Sequence, residues 1–501
     1  MLQRSKHNLS NLQVGTFSMG NLVPIGCQEL VPGDSIQQAT DSVIRTLPLL
    51  APPMHEVEII ITHTFTPHRI IWDDFEDFIT GGDDGLNASV FPTIDFSGSP
   101  ITKTDLGHYL GLPVGFAGSV SALPFRAYAK FWNDHIYDEE LQTEATIDYT
   151  SGADTTTDTD LKRVNWARDR FTKSNASEQL GSAISIPLGD DAPLVGLYAD
   201  SNMSYGITGS SSHRGTPGTD ATGETLQQVG TGSGSRIWTA EDPANSGYPG
   251  FYADLSQASS ATINELREAI ALQKFAEMRQ IYGSTYEKML KSDYNIRPKD
   301  MRLNNSEILA TGRGMLQFSE VLATAETGAS VDVGDMKGHA IAAVKSNRYR
   351  AFIEEHGYLI SYVTIRPKPV YTQGVERHWL KSTKEDFFNK HLQNMGMQPI
   401  TNKEVKHDHA TPDGVFSYEP MYSEYRHAYN RYFGEMTDTL DYWHFGRNFA
   451  SDPALNSSFI TCTPNQNPFA QSATDNILGM FKHKIAARRL VKKSVRPVGL
   501  I

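Results

Sequence analysis

Residues 54–72, MHEVEIIITHTFTPHRIIW, alternate between apolar and polar. Val57, Ile59, Ile61, His63 and Phe65 share one face; Glu58, Thr62 and Thr64 share the other, and Ile60 breaks the pattern. A period of two, β-branched residues and flanking Pro53 and Pro67 predict a strand with one face on a core. GYLISYVTIRPKPVY, Gly357 to Tyr371, predicts a second strand, closed off by its prolines. From Gln257 to Tyr282 the period changes, and neither Gly nor Pro interrupts it. Thr262 and Glu265 form a capping box, and Ile263, Leu266 and Ile270 begin an apolar stripe that drifts to Leu272, Phe275, Met278 and Tyr282. Gly283 supplies the stop, so this stretch predicts a helix inside a helical insertion at 262–291.

Two stretches carry neither period. Asp138 to Asp160 holds eight acids and no Lys or Arg, which predicts a solvated acidic loop. Gly206 to Gly250 is dominated by Gly, Ser and Thr, a composition that predicts surface loop or protrusion rather than core. Together these place surface loops over about 138–250. Long strands separated by helices and loops predict an antiparallel β-sandwich used as a scaffold.

Composition narrows the class. The 501 residues include 39% hydrophobic residues, 40 Gly and 25 Pro, which suits a loop-rich soluble chain. Cys27 and Cys462 are too few for a disulfide framework and lack metal spacing, so free thiols are expected. The start, MLQRSKHNLSNLQ, has no apolar h-region, and no apolar run reaches the ~20 residues of a membrane span. A protein made and used in the cytoplasm, without membrane insertion, is the expectation.

Charge divides the chain sharply. Residues 476–501 hold seven Lys or Arg and no acid; with a formal total of −13, the other 475 residues carry −20. The first 28 residues hold Arg4 and Lys6 and no acid. Both ends predict basic arms, 1–28 and 476–501, around a central domain at 29–475. Three readings fit the C-terminal segment: a solvated helix face, a membrane-surface segment, or a nucleic-acid arm with steep salt dependence. The candidate phosphate-binding cations are Arg4, Lys6, Lys482, Lys484, Arg488, Arg489, Lys492, Lys493 and Arg496.

Signs of catalysis are weak. There is no G-x-S-x-G elbow and no phosphate-cradling GxxxxGK[ST] loop, and GTGSGS lies in low complexity rather than between a strand and a helix. No residue is assigned a catalytic role and no metal site is expected. HDH at His407–His409 would place two imidazoles on one face of a strand, without an evident third ligand. GGDDG, residues 81–85, reads as a tight turn, with bound calcium as its functional alternative. More unusual is Phe416 to Phe449, with eleven aromatic residues in 34 and Arg426, Arg431 and Arg447 among them. Interleaved rings and guanidiniums suit either unpaired bases or subunit contacts. Packing and contact are favoured, through Tyr418, Tyr422, Tyr425, Arg426, Tyr429, Tyr432 and Trp443.

Six blocks, taken in order, resemble one family. They are FSMGNLVPIGCQELVPGDSIQQAT (Phe17 to Thr40), PLLAPPMHEVEIIITHTFTPHRIIWDDFEDFITGG (Pro48 to Gly82), LPFRAYAKFWND (Leu123 to Asp134), NELREAIALQKF (Asn264 to Phe275), RPKPVYTQGVER (Arg366 to Arg377), and YEPMYSEYRHAYNRYFGE followed by YWHFGRNF (Tyr442 to Phe449). They are similar to the major capsid protein of microviruses, small tailless single-stranded-DNA bacteriophages. The resemblance implies a mainly β fold, an eight-stranded antiparallel jelly roll with long loop and helix insertions. It also implies about 60 copies closing an icosahedral T=1 shell in the virion, assembled in the host cytoplasm. The basic ends would face the single-stranded DNA, and the acidic remainder would face solvent. The 206–250 stretch would be an external protrusion meeting a host receptor or a loop ordered by a neighbouring subunit. Other phage structural proteins are further partners the resemblance allows. Readings from other classes are a carbohydrate-binding jelly roll or receptor-binding protein using Trp238 and Tyr248, and a metal-dependent hydrolase on His63, His68, His407 and His409.

Overall fold

The computed structural model describes residues 4–182, 184, 263–283, 286–296, 304–324, 332–471 and 475–492, together with short strands between 194 and 253. The chain divides into two compact units, one formed by Met1–Glu178 with Gly283–Ile501 and the other by Gln179–Tyr282.

Two antiparallel sheets frame the first unit. Their strands are β1 (Ser5–Asn8), β2 (Asn11–Phe17), β3 (Val23–Leu30), β4 (Ser35–Thr46), β5 (Val57–Pro67), β6 (Glu307–Met315), β7 (Gln317–Leu322), β8 (Met336–Lys345), β9 (Tyr349–Phe352), β10 (Gly357–Pro367) and β11 (Ile477–Arg489). In the seven-stranded sheet, β11 lies against β4, and β4 carries β8 and β9 along its other edge; β7 extends β8. β1 and β2 both pair with β11, one along each half of it. The four-stranded sheet runs β6–β5–β10–β3.

The core lies between these sheets. Ile59, Ile61, Val363 and Ile365 from the smaller sheet meet Ile44, Val344, Phe481 and Phe17 from the larger one. The predicted alternation of β5 holds from Val57 to His63, with Val57, Ile59, Ile61 and His63 buried and Glu58, Ile60 and Thr62 half-buried, but Thr64, expected on the polar face, is buried as well. β10 is buried on nearly every residue because its second face is also covered. There the helix α1 (Leu123–His135) packs, with Phe131 stacked on Tyr362 at 4.4 Å and Tyr128 donating to the Leu22 carbonyl at 2.9 Å.

A polar layer crosses the sandwich at one level. On β4, β5, β10 and β11 the inward residues pass from Ile44, Ile61, Val363 and Phe481 to Ile36, Phe65, Leu359 and Ile485 through Thr40 and Gln38, His63, Ser361 and His483. The polar groups satisfy one another, as buried polar groups must. His63 bonds to the Ser361 and Ser346 hydroxyls at 2.7 and 2.9 Å. His483 Nε2 donates to the Ile25 carbonyl at 2.7 Å, leaving Nδ1 to accept from the Thr40 hydroxyl at 2.7 Å.

Three expectations need correction. The basic ends are not free arms along 5–17 and 477–489, since β1, β2 and β11 are built into the larger sheet. Ile477, Phe481 and Ile485 alternate with exposed residues, and burying that face outweighs the solvation of a free tail. Gly479 makes this possible, because a Cβ there would come within 2.5 Å of Phe481 and 3.0 Å of Phe17. Nor is the acidic stretch wholly solvated: Ala145 joins the core beneath α1, and Asp154 is buried against Arg126, Nε to Oδ2 2.8 Å. Finally, short strands pair within 194–253, among them Leu197–Ala199, Thr225–Gln227 and Arg236–Thr239, where loop was expected; much of 206–250 lies outside the described residues.

The predicted helix is α2 (Ile263–Tyr282), in the second unit, with Ile263, Leu266, Ile270, Leu272 and Phe275 exposed. α3 (Tyr286–Tyr294) follows in the first unit.

Candidate nucleic-acid interface

Strand alternation sorts the C-terminal cations. With Phe481, His483 and Ile485 turned into the core, Lys482, Lys484 and Arg488 stand exposed on the outer face of the seven-stranded sheet. Cross-strand register adds the rest of that face. Lys6 lies opposite Arg488, Arg45 opposite Leu478, Lys345 opposite Asp41, and Arg350 opposite Gln37. Lys337 and His339 continue the same row of β8. The face therefore carries Lys6, Arg45, Lys337, Lys345, Arg350, Lys482, Lys484 and Arg488 from five strands, all exposed. Among the described strand residues in this register, Asp41 is the one carboxylate facing them. Arg4 is exposed nearby, its guanidinium 5.0 Å from the Phe352 ring.

Not every predicted cation belongs to the face. Arg489 falls on the inward phase of β11, ion-paired with buried Asp34 at 2.9 Å and donating to the Glu29 carbonyl at 3.0 Å, so its charge serves the fold. Lys492 is exposed just beyond the strand, and Lys493 and Arg496 lie outside the described residues. Arg45, Lys337, Lys345 and Arg350 escaped sequence reasoning because they lie on β4, β8 and β9, far along the chain from either basic end. Only sheet pairing brings them together.

Beside the cations runs an apolar row, Val14–Met480–Val43–Ala343, matched residue by residue across four strands. Leu12, Leu478 and Ile341 flank it, exposed.

The aromatic block divides between interior and surface. Tyr422 is buried, its hydroxyl donating to the Glu385 carbonyl at 3.0 Å. Half-buried Tyr432 bonds to His55 and stacks on His444 at 4.0 Å. Tyr429 accepts from Arg170, which is paired with Glu404 and Glu419 at 2.6 Å each. Tyr418 and Trp443 are half-buried, and backbone bonds hold them to Asn175 and Met54. Tyr425 and Arg426 stay exposed, and Tyr425 accepts from Lys381 at 2.8 Å. The most exposed rings nearby are Phe433, at 82%, and Trp379, at 73%, with Phe387, Phe388 and Met395 also uncovered. None of these five was named from sequence; a count of aromatics does not say which ones the fold buries.

The histidines do not assemble. His63 is engaged in the sandwich interior and His68 is buried against Phe75 and Tyr358. His407 meets the Gln373 carbonyl, whereas His409 accepts from the Thr411 amide. Among the described residues no group of three or more His, Cys, Asp or Glu is placed to hold a metal ion. At 81–85 the glycines adopt positive φ and Asp84 accepts from the Leu86 amide, which is turn geometry. Among the described residues no helix is long and apolar enough to cross a membrane.

A β-sandwich carrying one strongly cationic sheet face and uncovered aromatic rings has the make-up of a structural, assembling protein. Residues 1–496 match the family described as Capsid protein (F protein), and the chain belongs to that family. The capsid protein VP1 of Bdellovibrio phage phiMH2K is 31% identical over 470 residues, covering 91% of this chain and 87% of the relative. Those of Chlamydia phage 1 and Spiroplasma virus 4 are each 28% identical, covering 92% of this chain and 89% and 88% of theirs. The protein is thus a phage major capsid protein, a virion component that self-assembles into a shell and not an enzyme.

Proposed function

We propose that about 60 copies of this subunit, each an eight-stranded jelly roll with insertions, close an icosahedral shell around single-stranded DNA. The outer face of the seven-stranded sheet is turned toward the DNA. The observation that carries this reading is the segregation of charge: eight cations against Asp41 on one sheet face of a chain with formal charge −13. Such a face attracts polyphosphate through counterion release, and the acidic remainder keeps the outside of the particle from collecting free nucleic acid. Lys6, Lys482, Lys484 and Arg488 are the terminal cations in contact with DNA, joined by Arg4 and Lys492 at the margin.

Changing Lys482, Lys484 and Arg488 together to Glu tests it, with particles counted by electron microscopy and genome content by absorbance. Shells that form but package little DNA are expected; wild-type genome content would refute the assignment. For 206–250 the proposal is a protrusion that meets the host surface. Deleting Ser210 to Gly234 should leave particles intact and impair adsorption, and normal adsorption would remove that role.

A further inference from the structure

One residue on the cationic face has the wrong sign. Asp41 stands in register between Lys482 on β11 and Lys345 on β8, so strands about 4.8 Å apart hold a lysine on either side of it. Lys484, two residues along β11, closes on the carboxylate as an ion pair and hydrogen bond. The Lys484 ammonium thus pairs with a half-exposed oxyanion that Lys345 and Lys482 flank in register and stabilise by their charge, at the centre of the sheet rather than at its edge. Lysines crowded on neighbouring strands repel one another, and an anion among them relieves that repulsion. A backbone phosphate would supply the same charge and the same acceptor oxygens.

We infer that Asp41 is a built-in competitor for phosphate, occupying the slot of these three lysines until nucleic acid displaces it. The inference rests on the proposal that this face meets DNA, and adds what governs its grip. A phosphate entering the slot exchanges with a carboxylate instead of meeting bare cations. The face therefore holds a strand with fewer net charges than its lysines number, loosely enough for the strand to shift as it is packed. The lysines' field also holds the Asp41 carboxyl below its usual range, through its bond to Lys484 and the charges of Lys484, Lys345 and Lys482, so the competitor stays ionised.

The test is binding of oligothymidylate to the full-length protein across a salt series, comparing wild type with Asp41→Asn and with the control Asp438→Asn, an exposed acid away from the sheet. Asp41→Asn should bind about 3-fold tighter or more at low salt. Its plot of log affinity against log salt should be steeper by up to about 0.7, the value of one further phosphate on a single strand. Affinity and slope equal to wild type, or an equal gain in the control, would overturn the inference and leave the proposed function standing. Wild-type protein whose binding is absent or indifferent to salt would instead sink the proposed function. A purely structural Asp41 would lower the melting temperature and leave the slope untouched. Should Asp41→Asn fail to fold, Lys345→Gln is compared with Arg350→Gln: the lysine, already balanced by Asp41, should cost clearly less slope, and equal losses would count against the inference.

Discussion

Acid should loosen this subunit from its centre. His63 has no solvent exposure, and burial, then the proximity of His483, pushes its imidazole down to about 3 from an ordinary 6.5. The rings of His63 and His483 lie 6.4 Å apart in the polar layer, and burial lowers His483 as well. Both are thus neutral in the folded protein at pH 7. A histidine with a depressed folded value binds its proton more readily when unfolded, so the stability it lends is complete above about pH 6.5. Below that it falls by about 1.4 kcal/mol per pH unit until the folded value near 3 is reached. At pH 5, 1.5 units into this window, His63 alone costs about 2 kcal/mol, a sizeable part of a typical 5–15 kcal/mol domain stability. The perturbation is His63→Gln, whose amide can still bond to Ser346 and Ser361 but does not titrate. The assay is urea unfolding at pH 7.5 and 5.0, followed by tryptophan fluorescence with the assembly state held fixed. At pH 7.5 the variant should lose about 1 kcal/mol to imperfect hydrogen bonding. Between the two pH values it should lose about 2 kcal/mol less than wild type. His55 and His68, each pushed down to about 4 chiefly by burial, contribute equally to both proteins and cancel. An identical pH dependence in variant and wild type would refute the reasoning.

Two further outcomes can be measured directly. Arg126→Met leaves Asp154 buried without its partner and removes donors to the Ile71 and Thr150 carbonyls, so a loss of about 3–5 kcal/mol in stability is expected. Adding Asp154→Asn should recover part of it, and no recovery would argue against the ion pair as the cause. Phe433→Ser with Trp379→Ser should change subunit stability by no more than about 0.5 kcal/mol while reducing particle yield by light scattering, if these uncovered rings meet a neighbouring copy. Unchanged yield would exclude them from the shell contacts.

Much of the frame was legible because its signals are local. The β5 alternation, including His63 on the inward face, and the helix closing at Gly283 depend only on neighbours in sequence. β11 was harder. Its apolar residues alternate as clearly as those of β5, but Gly479 and His483 occupy inward positions where bulky apolar residues would mark a strand, and the cations between draw the eye to charge. Its partner β4 hides the same way, because Gln38, Thr40 and Ser42 point into a core that accepts them only where His63, His483 and the Val344 carbonyl answer their hydrogen bonds.

The sequence by itself determined that this is a β-rich chain with one long helix, with cations gathered at its ends and rings gathered near residue 430. Those properties follow from periods, caps and composition, which act over a few residues. Only the tertiary structure decided what the cations do. By setting β11 between β4 and the two N-terminal strands, it turned a presumed tail into the middle of a sheet and placed Arg45, Lys345 and Arg350 beside it. Pairing between distant strands fixes which side chains share a face, and no spacing within one segment encodes its partner.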